Sequence, residues 1–257
     1  MERKRYNWEE TPIPVMATPQ LKYPERAADI YTRAATAMCL VHNMFIRVFN
    51  SIYLQAQHVP PSEYGNFIGY ALLFYTNLEH HHRGEEERFF RRIAEHCGEV
   101  GVMEREVGQH AELHQGLEMY AEYLRSVQSQ PSKFSGTKLV GIMDSFVKVM
   151  EAHLSDEIST LLSLTRFGDK IDMTTIMHEE GEKSVAESSL LEDVPMLLLN
   201  LDRWRFEGGL HKGFPPVPGP MRWLVCNVFT CWNWGWWKFA TCDGRGMPRE
   251  LPYGAGS

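Results

Sequence analysis

Cysteine is scarce in this 257-residue chain: five residues, Cys39, Cys97, Cys226, Cys231 and Cys242, an odd and scattered set. That pattern excludes a disulfide framework and fits a reducing compartment. A dense basic run is also missing. Lys+Arg 26 against Asp+Glu 33 leaves a net charge of -7, so the electrostatic footprint that phosphate backbones require is absent and no nucleic-acid partner is expected. No apolar run reaches the ~20 residues of a membrane span. The nearest candidate, residues 223–240, is interrupted by Asn227, Asn233, Gly235 and Lys238. The opening MERKRYNWEETPIP has no apolar stretch behind its basic residues, so no secretory signal is expected and the expected location is cytoplasmic.

What the chain does have is helical periodicity. After an arm over 1–23 containing Pro12, Pro14 and Pro19, four long segments run from about Pro24 to Gln57, Ser62 to Gly98, Gly101 to Gln130 and Ser135 to Gly168. Gly or Pro punctuates every boundary, and each segment is far too long for a strand. Short connections between long helices make neighbours antiparallel, so 24–168 is predicted to be an all-α, up-down-up-down four-helix bundle. Residues 169–257 form a different kind of segment, an irregular, partly helical extension rich in Trp and Pro that is expected to pack on the bundle.

Eleven histidines are the unusual presence, and seven of them fall between His80 and His153. Counted in sevens, the apolar rows of the four helices are each broken at one level. The first helix carries His42 between Ala35 and Phe49. The second carries His81 and Glu85 below Phe74 and Leu78. The third carries His110 and His114, in rows with Met103, Leu117 and Ala121. The fourth carries His153 and Glu157, below Phe146 and Met150. His82 and Glu86 satisfy the same four-residue step as His81 and Glu85; the sevenfold rows favour the latter pair. At ~1.5 Å rise per residue the four levels agree within about one helical turn. Five imidazoles and two carboxylates are thus predicted to meet in one slice of the interior. Of the remaining histidines, His80 lies beside the slice and His58, His96, His178 and His211 lie outside it.

Burying such a set uncompensated costs several kcal/mol per group, and metal cations remove the penalty. Imidazole and carboxylate without thiolate suit iron, and the set holds more donors than one tetrahedral zinc uses. Seven ligands, two of them carboxylates able to bridge, point to two metals.

With His42, His81-His82-Arg83-Gly84-Glu85-Glu86, His110-x-x-x-His114 and His153-x-x-x-Glu157 in place, the sequence resembles hemerythrin and the wider hemerythrin-like HHE cation-binding family. The resemblance implies that His110, His114 and His153 hold one iron and His42 and His81 the other. Glu85 and Glu157 would bridge them, with an oxo or hydroxo group between the ions. It also implies an open position on the two-histidine iron, where O2 binds in oxygen-carrying relatives. Those carriers place an Asp five residues after the fourth-helix His, whereas Glu157 stands at four here. They are also little more than the bundle. The layout Asp202…Glu207-Gly208-Gly209…His211…Phe214-Pro215-Pro216-Val217-Pro218 is similar to C-terminally extended members, mostly fungal. The expectation is therefore a non-haem di-iron oxidase or oxygenase that uses O2 on a small organic molecule. The alternatives are an O2, NO or iron binding or sensing protein without turnover, and a bundle that scaffolds a protein partner around a structural metal. Within the extension, Glu207 and His211 form a four-residue pair that is a candidate for gating, and Cys226, Cys231 and Cys242 fit no common zinc spacing.

Overall fold

The computed structural model describes residues 5–99 and 101–254. Among these residues the protein is all helix and loop, with an isolated bridge between Cys242 and Pro248 in place of any strand. A short helix α1 (Pro19–Lys22) precedes the long α2 (Ile30–Gln55) and α3 (Tyr64–Gly84). A π-helical turn (Glu85–Phe89) joins α3 to α4 (Phe90–Cys97), and α5 (Glu104–Gln128) and α6 (Gly136–Ser163) complete the bundle. Around the ring, α2 packs on α3, α3 on α5, α5 on α6 and α6 on α2, the closed circuit of an antiparallel four-helix bundle.

Local chemistry sets these boundaries. Asp29 caps α2 by accepting from the Thr32 amide, and Ser135 caps α6 by accepting from that of Lys138, each satisfying an amide that the first helical turn leaves open. Gly98, at φ 68°, takes the left-handed conformation that ends α4. Gly116 lets α5 and α6 approach closely: a Cβ there would sit 2.5 Å from Cβ of Phe146.

The polar residues on the outer face of α2 have their own purpose. Asn43 bonds the backbone N–H and C=O of Met16, each at 2.8 Å. Asn50 accepts from the Ile13 amide at 3.2 Å and donates to the carbonyls of Ile13 and Trp8. The N-terminal arm is thereby zipped along α2, and its polar backbone groups are satisfied where they are buried.

Beyond α6, α7 (Met173–Glu187) folds back over the π-helical turn and α4. Arg88 grips Glu180 through two bonds of 3.0 and 2.7 Å. The rest of the extension contains α8 (Asp193–Leu199) and α9 (Gly219–Asn227). A 3-10 turn, Trp236–Phe239, seats Phe239 against Phe67 of α3 with ring centroids 5.1 Å apart.

The apolar interior is in two parts. The larger gathers Phe49, Phe67, Phe74, Leu117, Tyr120 and Phe146 with the inner face of the extension. The smaller, at the other end, gathers Tyr31, Phe89, Phe90, Ile93, Leu161 and Ile176. Between them lies a layer of polar side chains.

Candidate metal centre

That layer is built by all four bundle helices. From α2 comes His42, from α3 His81 and His82, and from the π-helical turn Glu85. His110 comes from α5, and His153 and Glu157 from α6. Ligand-capable atoms fall into two groups, each drawn together within 4.8 Å: His82, Glu85, His110 and His153 in one, His42, His81 and Glu85 in the other. Glu85 belongs to both. Its two oxygens lie 3.1 Å from Nε2 of His81 and 3.5 Å from Nε2 of His110. Glu157 Oε2 lies 3.3 Å from Nε2 of His42, and its carboxyl is a close neighbour of that of Glu85.

Two contacts fix how the rings are presented. Nδ1 of His42 donates to the carbonyl of Leu154 at 2.9 Å, which leaves Nε2 as a lone pair aimed inward. Nδ1 of His110 donates to the Glu86 carboxylate at 2.7 Å, and its Nε2 faces Nε2 of His153 at 3.2 Å. A backbone carbonyl and a half-exposed glutamate thus set the tautomers of two inward rings.

The fit to a cation rests on atoms that have nothing else to bind. Nε2 of His42, His81 and His82, Nδ1 of His153, and both carboxylate oxygens of Glu85 and Glu157 are buried without a hydrogen-bond partner. So many orphaned acceptors and ring nitrogens in one layer would burden the fold heavily, and a cation answers all of them. Burial, reinforced by neighbouring rings, pushes His81 and His82 far below the ordinary imidazole value, and His153 down to about 2. Burial, and then the Glu157 carboxyl beside it, pushes Glu85 far above the usual carboxylate range. Neutral imidazoles are the form that ligates metal, and a bound cation restores the ionised form of Glu85.

Of the residues predicted from spacing, His42, His81, Glu85, His110, His153 and Glu157 all stand in the layer. His114 does not. Its side chain is 56% exposed, and it sits 3.6 Å from Glu79 in a surface group that also includes Glu118. The reason is the register of α5. Two rows flank the line Met103, His110, Leu117, Leu124, and either could turn inward with it. The structure buries Glu106, Leu113, Tyr120 and Val127 and leaves Val107 and His114 outside. Leu113, Tyr120 and Val127 form the more apolar continuation, and this was the available signal.

His82 takes the third imidazole seat instead, stacked on His110 with ring centroids 4.1 Å apart. The choice between His81/Glu85 and His82/Glu86 therefore has a third outcome. The wider π-helical turn that begins at Glu85 accompanies a register in which both adjacent histidines and Glu85 face inward, while Glu86 bonds the back of His110. Insertions of this kind recur at functional sites, and a strict sevenfold count cannot represent them.

Outside the layer, Glu207 and His211 do pair, at 2.9 Å, but far along the chain from any ligand. Glu207 receives the amide and hydroxyl of Thr18 at 2.7 and 2.6 Å, which ties the N-terminal arm to the extension. These bonds hold Glu207 at φ 48°, a conformation that costs a non-glycine residue. All five cysteines are free thiols, and none belongs to a metal-capable group among the described residues.

Residues 35–165 match the family model described as Hemerythrin HHE cation binding domain. A curated relative from Cryptosporiopsis sp. (strain 8999), named dimeric xanthone biosynthesis cluster protein R11, is 34% identical over 241 residues, covering 93% of this chain and 90% of the relative. No solved structure matches the chain.

Proposed function

The chain belongs to the hemerythrin HHE cation-binding domain family, and from that premise we propose that it is a non-haem di-iron protein that uses O2 to oxidise a small organic molecule. The observation that carries this reading is the sharing of Glu85 between two groups of buried, unsatisfied ligands. One carboxylate with its two oxygens turned to different ligand sets is the arrangement a pair of ions needs. The donor chemistry, imidazole and carboxylate without thiolate, suits iron.

His82, His110, His153 and Glu85 would hold one ion, and His42, His81, Glu85 and Glu157 the other. Bound iron supplies the redox electrons for O2 reduction, which no side chain in this layer provides. The protein's part is positioning and shielding. Leu154 and Glu86 hold the rings of His42 and His110 in the ligating tautomer. The two apolar clusters close the layer above and below and keep bulk water from it. The groups are unequal: three imidazoles on one side, two on the other.

The relative is named for a biosynthesis cluster for dimeric xanthones. A place in such a cluster supports an oxidative tailoring role on a small molecule, and a small molecule rather than a macromolecule as the partner of the site.

The test is to load the protein anaerobically with ferrous ion, add a reductant and O2, and follow both gas and products against a panel of aromatic metabolites. Oxidised product formed with O2 consumption is the expected result. Reversible uptake and release of O2 with no product would overturn the enzymatic reading and favour a binding or sensing protein.

A further inference from the structure

We propose that the C-terminal extension docks the protein onto the surface of an anionic lipid bilayer. This inference does not depend on the metal centre. It starts from side chains that a folded protein rarely leaves in water: Trp223 is 62% exposed, Trp232 58% and Trp234 68%. Scattered exposed apolar residues need no explanation, but grouped ones do.

These are grouped. At about 100° per residue, α9 and the residue after it present Trp223, Asn227, Pro220, Leu224, Val228 and Met221 in that order around one side. All of that side is exposed except the half-buried Leu224. The opposite side, Arg222, Val225 and Cys226, is buried against the protein. The outward face of α9 is therefore apolar, the reverse of an ordinary surface helix. The chain then turns through Trp232 and Trp234, placing two more indoles directly beyond it. Tryptophan suits the headgroup boundary, where an apolar ring can be buried while its N–H stays wet.

Charge selects the occupant. The chain as a whole is at -7, yet residues 203–249 hold seven Lys or Arg against Glu207 and Asp243 alone. Of these, Arg203, Lys212 and Arg245 enter no ion pair among the described residues. They lie beside the apolar face. Arg203 reaches the carbonyl of Lys212 and stacks on Trp204, Trp204 donates to the carbonyl of Arg245, and a Cβ on Gly244, next to Arg245, would lie 3.3 Å from the Cys226 carbonyl and 3.8 Å from Oδ1 of the exposed Asn227 at the end of α9. Apolar aromatic surface rimmed by unpaired cations matches a bilayer carrying negative headgroups. A second copy of the chain fits less well, since a twofold interface through this face would set the same cations against one another.

The experiment mixes the full chain with vesicles of phosphatidylcholine, with and without about one-third phosphatidylserine, and measures co-sedimentation and quenching of tryptophan by brominated lipid. Binding is expected to the anionic vesicles, to weaken with salt, and to fall about tenfold or more in the Trp232→Ser/Trp234→Ser variant. Lys212→Glu with Arg245→Glu is expected to remove the preference for phosphatidylserine. These positions are exposed and away from the ligand layer, so helicity and metal content serve as controls for folding. Failure of the wild-type chain to bind either vesicle, or equal binding by the Trp232/Trp234 variant, overturns the proposal. So does a concentration-dependent dimer in analytical ultracentrifugation that the same variant abolishes.

Discussion

The two halves of the bundle interior are governed by opposite rules. In the larger apolar cluster, Phe49, Phe74, Tyr120 and Phe146 interlock as tilted and edge-to-face rings, and each aromatic contributes favourably on burial in its own right. In the ligand layer just beside it, buried atoms of His42, His81, His82, Glu85, His153 and Glu157 lack hydrogen-bond partners. One region stabilises the fold without help; the other is a cost until a cation arrives. The lesson is that the apolar cluster allows the layer to be polar. A bundle whose stability is secured elsewhere can hold a layer of seven His and Glu side chains able to take a metal.

This contrast can be broken most forcefully at Phe74. Its replacement by Ala should destabilise the protein by about 3–5 kcal/mol, measured by denaturant unfolding, while metal stoichiometry in the folded protein stays unchanged. If metal is lost in step with stability, the two regions are not separable.

Next in size is the metal itself. Ligand at about 100 times its dissociation constant adds ~2.7 kcal/mol to stability, so chelation should lower the melting temperature by roughly 5–10 °C. His153→Leu, which disables one of the two ligand groups, should shrink that increment. It should also raise the stability of the metal-free protein, because an orphaned ring is exchanged for an apolar side chain of similar size. Paired thermal scans with and without chelator would show both signs.

Smaller is the effect of Glu86→Gln, which weakens the acceptor behind His110. Metal affinity should fall about 10–100-fold with the fold intact, as read from competition with a chromophoric chelator.

The smallest effect lies outside the layer. Burial pushes the Glu207 carboxyl up, but His211 and the two bonds from Thr18 outweigh it and hold it below its ordinary value of 4.5. Because the folded value is the lower one, the unfolded chain takes up the proton first as pH falls. The latch therefore contributes fully above pH 4.5 and is lost as acidity passes through the folded value. Hydrogen exchange of the Thr18 amide should accelerate in that range, and Glu207→Gln should remove the pH dependence.

Much of this was legible in the sequence. Four long periodic segments separated by Gly and Pro carry the bundle. Polar residues at matching levels of four apolar rows carry the existence of the layer and the placement of His42, Glu85, His110, His153 and Glu157. Illegible were the features that depend on a helix departing from ideal geometry or on a neighbour's identity. The π-helical turn turns His82 inward beside His81. On α5, the choice of inward row between Leu113 and His114 was settled by packing against α6. The extension was the least legible part, because its turns are held by contacts such as Asn200 with Tyr70 and Thr241, which have no local periodicity.

His82 and His114 together give the most direct test of the shared-carboxylate centre. Iron per chain should be measured by elemental analysis after anaerobic loading of the wild type, His82→Ala and His114→Ala. Two groups joined at Glu85 predict about two irons in the wild type and in His114→Ala, and about one fewer in His82→Ala. Loss of iron from His114→Ala with full retention in His82→Ala would contradict the assignment, and a wild type holding one iron or none would contradict the centre itself.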